Sequence, residues 1–186
     1  MIKEEQLLKN KNKIYKIISS SKYWGHHYPM RDFLIMMKFY GNPSMYGNRI
    51  QNRLIQDRGW KYVPSIKDRG DAKDLNKKYC ELKVSYANSK NHYSVLQIRP
   101  HQNIDYYLFY FIDENINIRE YHIPKEVITK FKLNNCHGIK NSIIDNENKE
   151  YRIDFKPNGS TKERVQWNLL NEYIINDNFN KKNKFW

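Results

Sequence analysis

The sequence predicts a mixed α/β (α+β) fold, with helices packed on a central mixed sheet. Three observations carry this prediction. Apolar residues recur at helical spacing before Gly59, the pattern changes to two-residue alternation from Trp60, and residues 105–112, "DYYLFYFI", form a continuous apolar run of strand length. Helices first, then strands, then a helix and a strand again is the order of a layered α+β domain. At 186 residues, 39% of them hydrophobic, the chain is long enough to bury a core. No repeat or linker interrupts it, so residues 1–186 are read as a single domain, with a short basic tail over about 177–186.

Taken in order, residues 4–18 suit an amphipathic helix that buries Leu7, Leu8, Ile14, Ile17 and Ile18, and residues 19–28 read as loop. Pro29 sits where proline opens helices; Met30, Phe33, Leu34, Met37 and Tyr40 follow at helical spacing up to Gly41. Tyr46, Ile50, Leu54 and Ile55 mark a further helix ending near Gly59, with Arg49, Gln51 and Arg53 on its other face. "WKYVPSI" and "YCELKVSY" alternate, the second placing Cys80, Leu82 and Val84 on one face. In the apolar run, Tyr106, Tyr107, Phe109, Tyr110 and Phe111 are expected to build the core and an interface rather than stack on bases. "INIREYHI" (116–123) and "KEYRIDF" (149–155) read as strands and "PKEVITKFKL" as a helix. Ser160, followed three residues later by Glu163, is a capping-box signature opening a helix with Val165, Leu169 and Ile174.

Thirty-three basic residues against twenty acidic give a net charge of +13. Such a balance points to a polyanionic partner, nucleic acid first and an anionic membrane surface second. The plain alternative is lysine and asparagine enrichment from an AT-rich coding sequence. Cys80 and Cys136, the only cysteines, fit a reducing compartment better than a disulfide framework. No CxxC or HExxH spacing calls for structural zinc, no signal peptide is legible, and no window spans a bilayer. The expectation is a cytoplasmic protein with no membrane association and no small-molecule cofactor.

Against this basic background, "RGDAKDLNKKYCELKVS" (69–85) places Asp71, Asp74 and Glu81 on one hairpin, with Lys83 close behind. On a strand, Glu81 and Lys83 point the same way, with Cα atoms about 7 Å apart, while Leu82 points into the core. Packing alone would put the polar pair on the outer face. Whether Asp71 joins them depends on the turn. A loop of three or five residues pairs Asp71 with Glu81; a loop of two or four pairs it with Cys80 and turns it to the core. Asp74 most simply starts the turn, and serves as the fallback acid in the other register. Two converging carboxylates repel each other unless a cation lies between them, and hard oxygen donors favour Mg²⁺. A neighbouring lysine can orient or help deprotonate a water that attacks a phosphodiester.

"GD" at Gly70–Asp71 and "ELK" at Glu81–Lys83, on a hairpin preceded by a helix, resemble the PD-(D/E)xK nuclease superfamily, most closely its small type II restriction endonucleases. The resemblance covers about residues 45–113 and extends into "YSVLQIRPHQNIDYYLFYFID". It implies a restriction-endonuclease-like αβββαβ core, metal ligation by Asp71, Glu81 and the Leu82 backbone carbonyl, and Lys83 as the catalytic lysine. It also implies a site-specific, Mg²⁺-dependent double-strand DNA endonuclease, working as a homodimer by in-line attack of a metal-activated water. Two departures matter. Gly70 stands where the motif has proline, and Gln51 stands on the preceding helix where many members have glutamate, which puts a second metal ion in doubt. Homing, junction-resolving and repair nucleases of the same superfamily are alternatives, as is a non-catalytic nucleic-acid-binding protein.

Further candidates for DNA contact are Gln97 and Arg99 in "LQIRP", which two-residue spacing places on one face, and Arg49 and Arg53, one helical turn apart. Each has a plain reading as surface. His137, beside Gly138 in a polar loop, is a candidate for base or phosphate contact, or simply lies at a helix end. His26–His27 lie on an irregular stretch poorly suited to chelation.

Overall fold

The computed structural model describes residues 29–40, 43–64, 69–136 and 149–177. The expected helix at 4–18, the loop at 19–28 with His26–His27, Gly41, His137–Gly138 and the tail beyond 177 lie outside the described residues. The chain divides between Arg58 and Gly59 into two compact units.

In the first unit, α1 (Met30–Tyr40) follows Pro29 directly, whose carbonyl accepts the Phe33 N–H at 3.0 Å. The second helix, α2, spans Pro43–Asp57. Phe33, Leu34 and Met37, spaced for one helical stripe, are buried, as are Ile50, Leu54 and Ile55. Arg53 binds Asp57 one turn on, Nε to Oδ2 at 2.6 Å, and its guanidinium lies 5.6 Å from the Phe33 ring. Past α2, Gly59 takes a φ of 63°, a left-handed conformation suited to a residue following a helix.

The second unit holds two sheets. The larger contains β1 (Lys61–Tyr62), β2 (Ala72–Lys73), β3 (Tyr79–Tyr86), β5 (Tyr106–Ile112), β6 (Ile118–Pro124) and β9 (Ile174–Asp177), hydrogen-bonded in that order. It is mixed: β3 and β5 run parallel, and every other neighbour pair is antiparallel. The smaller sheet is antiparallel, in the order β4 (Tyr93–Ile98), β8 (Tyr151–Phe155), β7 (Asn134–Asn135). The mixed α+β class and the central mixed sheet are therefore as expected. Along the chain, α2 is followed by β1, β2 and β3. No helix lies between β3 and its parallel neighbour β5; the crossover runs through β4, whose apolar Tyr93, Val95 and Ile98 seat it in the second sheet.

All seven residues of β5 are buried, the expected signature of a strand covered on both faces. On one face, Tyr107, Phe109 and Phe111 meet Tyr93, Val95, Ile153 and Phe155 of the small sheet, together with Trp167 and Leu170 of α3 (Thr161–Asn171). Phe111 stacks on Tyr93 with ring centroids 4.6 Å apart, and Trp167 lies 5.8 Å from Tyr93. Burying each such ring contributes roughly 1.5–3 kcal/mol, so this aromatic layer clamps the two sheets together. At the start of α3, the Glu163 carboxylate accepts the Ser160 N–H at 2.9 Å, as the capping signature predicts.

Three expectations are corrected here. "PKEVITKFKL" forms only a short 3-10 helix, Lys125–Lys130, ended by extended Phe131. Val165 is exposed, and α3 buries Trp167 and Leu170 instead. Ile174 belongs to β9, because α3 stops at Asn171 and the chain turns to pair with β6.

Candidate active site

The β2–β3 turn decides the site. Asp74 pairs with Lys78 across a three-residue loop, Leu75–Asn76–Lys77: the Asp74 N–H donates to the Lys78 carbonyl at 2.9 Å, and the Lys77 N–H to the Asp74 carbonyl at 3.0 Å. Lys77 takes the left-handed conformation (φ 65°) that three-residue hairpin loops need at this position. The ladder pairs Lys73 with Tyr79 and Ala72 with Cys80, and that register, continued by one residue, sets Asp71 against Glu81. The odd register is the one adopted. Asp74 starts the turn: its Oδ1 accepts the Lys78 N–H at 2.9 Å and its Oδ2 accepts the Tyr106 hydroxyl at 3.0 Å.

Gly70 brings Asp71 up to β3. Its φ is 72°, and a Cβ there would lie 2.5 Å from the Cys80 carbonyl oxygen. Proline, fixed near −65°, cannot adopt this conformation, which gives a physical reason for glycine at this position. The next residue is then pinned twice. The Asp71 N–H donates to the Cys80 carbonyl at 2.8 Å, and Asp71 Oδ2 accepts the Leu82 N–H at 2.8 Å. Both backbone groups of a strand residue point across the same edge, so the Leu82 carbonyl is directed to the side where Asp71 sits.

Glu81 and Lys83 do not lie on an outer face. In the parallel ladder Glu81 pairs with Tyr107, Lys83 with Phe109 and Ser85 with Phe111, so these residues share the face that packs on the small sheet. Ser85 Oγ accepts the Ser94 N–H of β4 at 3.2 Å. Glu81 is only 4% exposed. Its Oε1 receives Lys83 Nζ at 2.6 Å, and its Oε2 receives Gln102 Nε2 at 3.4 Å.

Burial and the neighbouring Glu81 carboxylate push Asp71 up to about 6, against the opposing pull of Lys83, the Leu82 N–H and Arg99. Burial and the Glu81 charge likewise raise the Tyr107 hydroxyl. Two carboxylates thus share one partly dry space and resist being charged together. The nearby donors are hard oxygens: Asp71, Glu81 and the Leu82 carbonyl. Such a set suits a hard divalent cation such as Mg²⁺ that keeps several waters, and offers no sulfur or imidazole for zinc. Among the described residues, no group of three or more His, Cys, Asp or Glu side chains is arranged to hold a metal ion. An ion here would rest on Asp71, Glu81 and the Leu82 carbonyl, with waters completing its shell.

Gln102 carries no role in the sequence reading. It is 1% exposed, on a turn in which its N–H donates to the Arg99 carbonyl at 3.0 Å, and the Tyr107 hydroxyl donates to the same carbonyl at 2.8 Å. Its signal was "RPHQ": proline at the second position of a four-residue turn closed from Arg99 to Gln102.

Of the other candidates, Arg99 lies near enough to lower Asp71, and its guanidinium is held by Glu150, with Nε to Oε1 at 2.8 Å. Gln97 is exposed with a φ of 57°, and a bulge between Val95 and Ile98 breaks the alternation that put it on one face with Arg99. Arg49, Gln51 and Arg53 stand on α2 in the first unit, where burial lowers Arg49. An open cleft of 620 Å3, lined by Lys90, Asn91, Asp113 and Asn117 among others, contains none of the candidate residues.

No family model matches the chain, and no curated protein matches it. No helix among the described residues is long and apolar enough to cross a membrane.

Proposed function

We propose that this protein is a Mg²⁺-dependent DNA endonuclease hydrolysing phosphodiester bonds. One observation carries the reading: Asp71, Glu81 and Lys83 converge on one sheet face, with Asp71 pushed up to about 6 by burial and by Glu81. A chain with net charge +13 that keeps a buried acid beside a second acid that it repels would hold a cation within a surface for a polyanion.

Asp71, Glu81 and the Leu82 carbonyl would hold the ion. Mg²⁺, when bound, supplies Lewis-acid stabilisation of charge developing on the scissile phosphate and makes water a stronger nucleophile. Lys83 Nζ, fixed beside Glu81, donates a hydrogen bond to the incoming water and offsets charge on the phosphate. Gln102 holds the second Glu81 oxygen, so the carboxylate keeps one orientation. The Asp71–Leu82 bond holds the other acid against the same strand. Such positioning accounts for rate without covalent chemistry by the protein.

Within this class we read a site-specific type II restriction endonuclease, working as a homodimer because two-fold symmetric duplex sites are served by two-fold symmetric proteins. A homing, junction-resolving or repair nuclease would share the same site. The second class is a non-catalytic nucleic-acid-binding protein. The 2.6 Å Lys83–Glu81 pair favours it, since mutual neutralisation is also what a purely structural pair would do. Digestion of plasmid and phage DNA in Mg²⁺ and in EDTA, followed by end mapping, separates the two.

A further inference from the structure

We infer that the β1–β2–β3 hairpin surface that bears Lys61, Arg69, Lys73 and Lys77 is a contact surface for the backbone of duplex DNA. The inference rests on the nuclease reading and specifies where the substrate lies. Lys61 and Lys73 are direct cross-strand partners. Like charges placed opposite each other destabilise a sheet, so the fold alone gives no reason for this pair. Lys73 pairs in turn with Tyr79, and Arg69 and Lys73 both stand over the Tyr79 ring, 5.8 and 4.9 Å from its centroid. The ring draws two cations to the face of the sheet that carries Asp71 and Glu81. No ion pair found among the described residues involves any of these four basic side chains.

Geometry ties this patch to the site. Lys73 follows Asp71 by two strand positions, about 7 Å, and phosphates on one strand of a duplex recur about every 3.4 Å along its axis. A phosphate at the carboxylates therefore brings its neighbours along the same strand to Lys73, Arg69 and Lys61. Farther out, Lys77 stands in the turn, and Leu75 at its tip is 74% exposed. An apolar tip beside a lysine fits a groove edge, where aliphatic side chains pack on sugars and base steps. It suits an anionic lipid surface less well, because lipid phosphates are not held at a fixed spacing from one another.

The test is binding of the full chain to a labelled duplex in EDTA over a range of salt, read by fluorescence anisotropy. Lys61→Ala with Lys73→Ala should weaken binding roughly tenfold and flatten the salt slope by about 2, near one for each phosphate no longer neutralised. Lys73→Arg should retain binding, and the pair Lys130→Ala with Lys162→Ala should leave it unchanged. Thermal melting guards against misfolding, since relieving the like-charge pair should not lower the melting temperature. Unchanged affinity and slope in the double variant, with wild type still binding and cutting DNA, overturns this surface alone. Wild type that binds no duplex overturns the nuclease reading with it. Tighter binding to phosphatidylserine vesicles than to duplex, abolished in the same variant, overturns the choice of partner.

Discussion

Asp71 Oδ2 accepts a hydrogen bond from the Leu82 backbone N–H at 2.8 Å. Leu82 is the residue between Glu81 and Lys83, so this bond fastens the first acid to the strand bearing the second acid and the lysine. The arrangement comes at some cost in stability, because the fastened carboxylate is half-dry and faces another.

That cost gives a pH dependence. Asp71 rises from an ordinary 3.8 to about 6 in the folded chain. Below 3.8 both folded and unfolded chains carry the proton. Between the two values the folded chain keeps a proton that the unfolded chain has lost, so Asp71 makes stability fall as pH rises. Above 6 the loss is complete, at most about 3 kcal/mol. Urea unfolding in EDTA should show Asp71→Asn gaining stability over wild type between pH 4 and pH 8. An equal difference at both pH values would refute the assigned repulsion.

Divalent cation should reverse the effect. Mg²⁺ at ten times its Kd adds about 1.4 kcal/mol, or roughly 3–6 °C in Tm for a chain of this size. Measured by thermal melts, the rise should be larger at pH 7.5 than at pH 5, where Asp71 holds its proton, and absent in Asp71→Asn and Glu81→Gln. Equal Mg²⁺ shifts in wild type and both variants would remove the metal from these carboxylates.

Gly70→Ala should be as damaging as loss of a ligand. A Cβ at φ 72° must avoid the Cys80 carbonyl, 2.5 Å away, so the Gly70–Asp71 segment shifts off β3. The expected loss is about 2 kcal/mol or more. Cleavage should fall although every proposed ligand is unchanged. A Gly70→Ala protein with wild-type stability and wild-type cutting would show that the close approach is not needed.

Gln102→Leu should act through Glu81. Losing the Nε2 donor frees the carboxylate to rotate, and loss of a group that orients a ligand costs about 10–100-fold in metal affinity or activity. The readout is a higher Mg²⁺ concentration for half-maximal cleavage, with Gln102→His restoring part of it. An unchanged Mg²⁺ requirement would leave Gln102 as core packing only.

Much of this was legible in the sequence because it is local. The β5 run, the Ser160–Glu163 cap and the alternation of "YCELKVSY" each read directly from neighbouring residues. The turn length was not legible, since Lys77 occupies a left-handed position that glycine or asparagine would have advertised. The burial of Glu81 was not legible either. It follows from β5 lying parallel to β3 with β4 across that face, a pairing between segments far apart in sequence. Gln102 was missed for the same reason, and Gln97 was misplaced because a bulge breaks a period that sequence reading must assume. Val165 fits a helical stripe as well as Trp167 and Leu170 do; packing against the aromatic core selects the latter two, with Leu169 half-buried at its edge.

The most direct test is DNA cleavage by wild type, Glu81→Gln and Lys83→Ala, each confirmed folded, on DNA of known sequence in Mg²⁺. Wild type should produce discrete fragments that vanish in EDTA, and each variant should cut at least about a hundredfold more slowly. Variants that cut as fast as wild type, or a wild type that never cuts, would contradict the account.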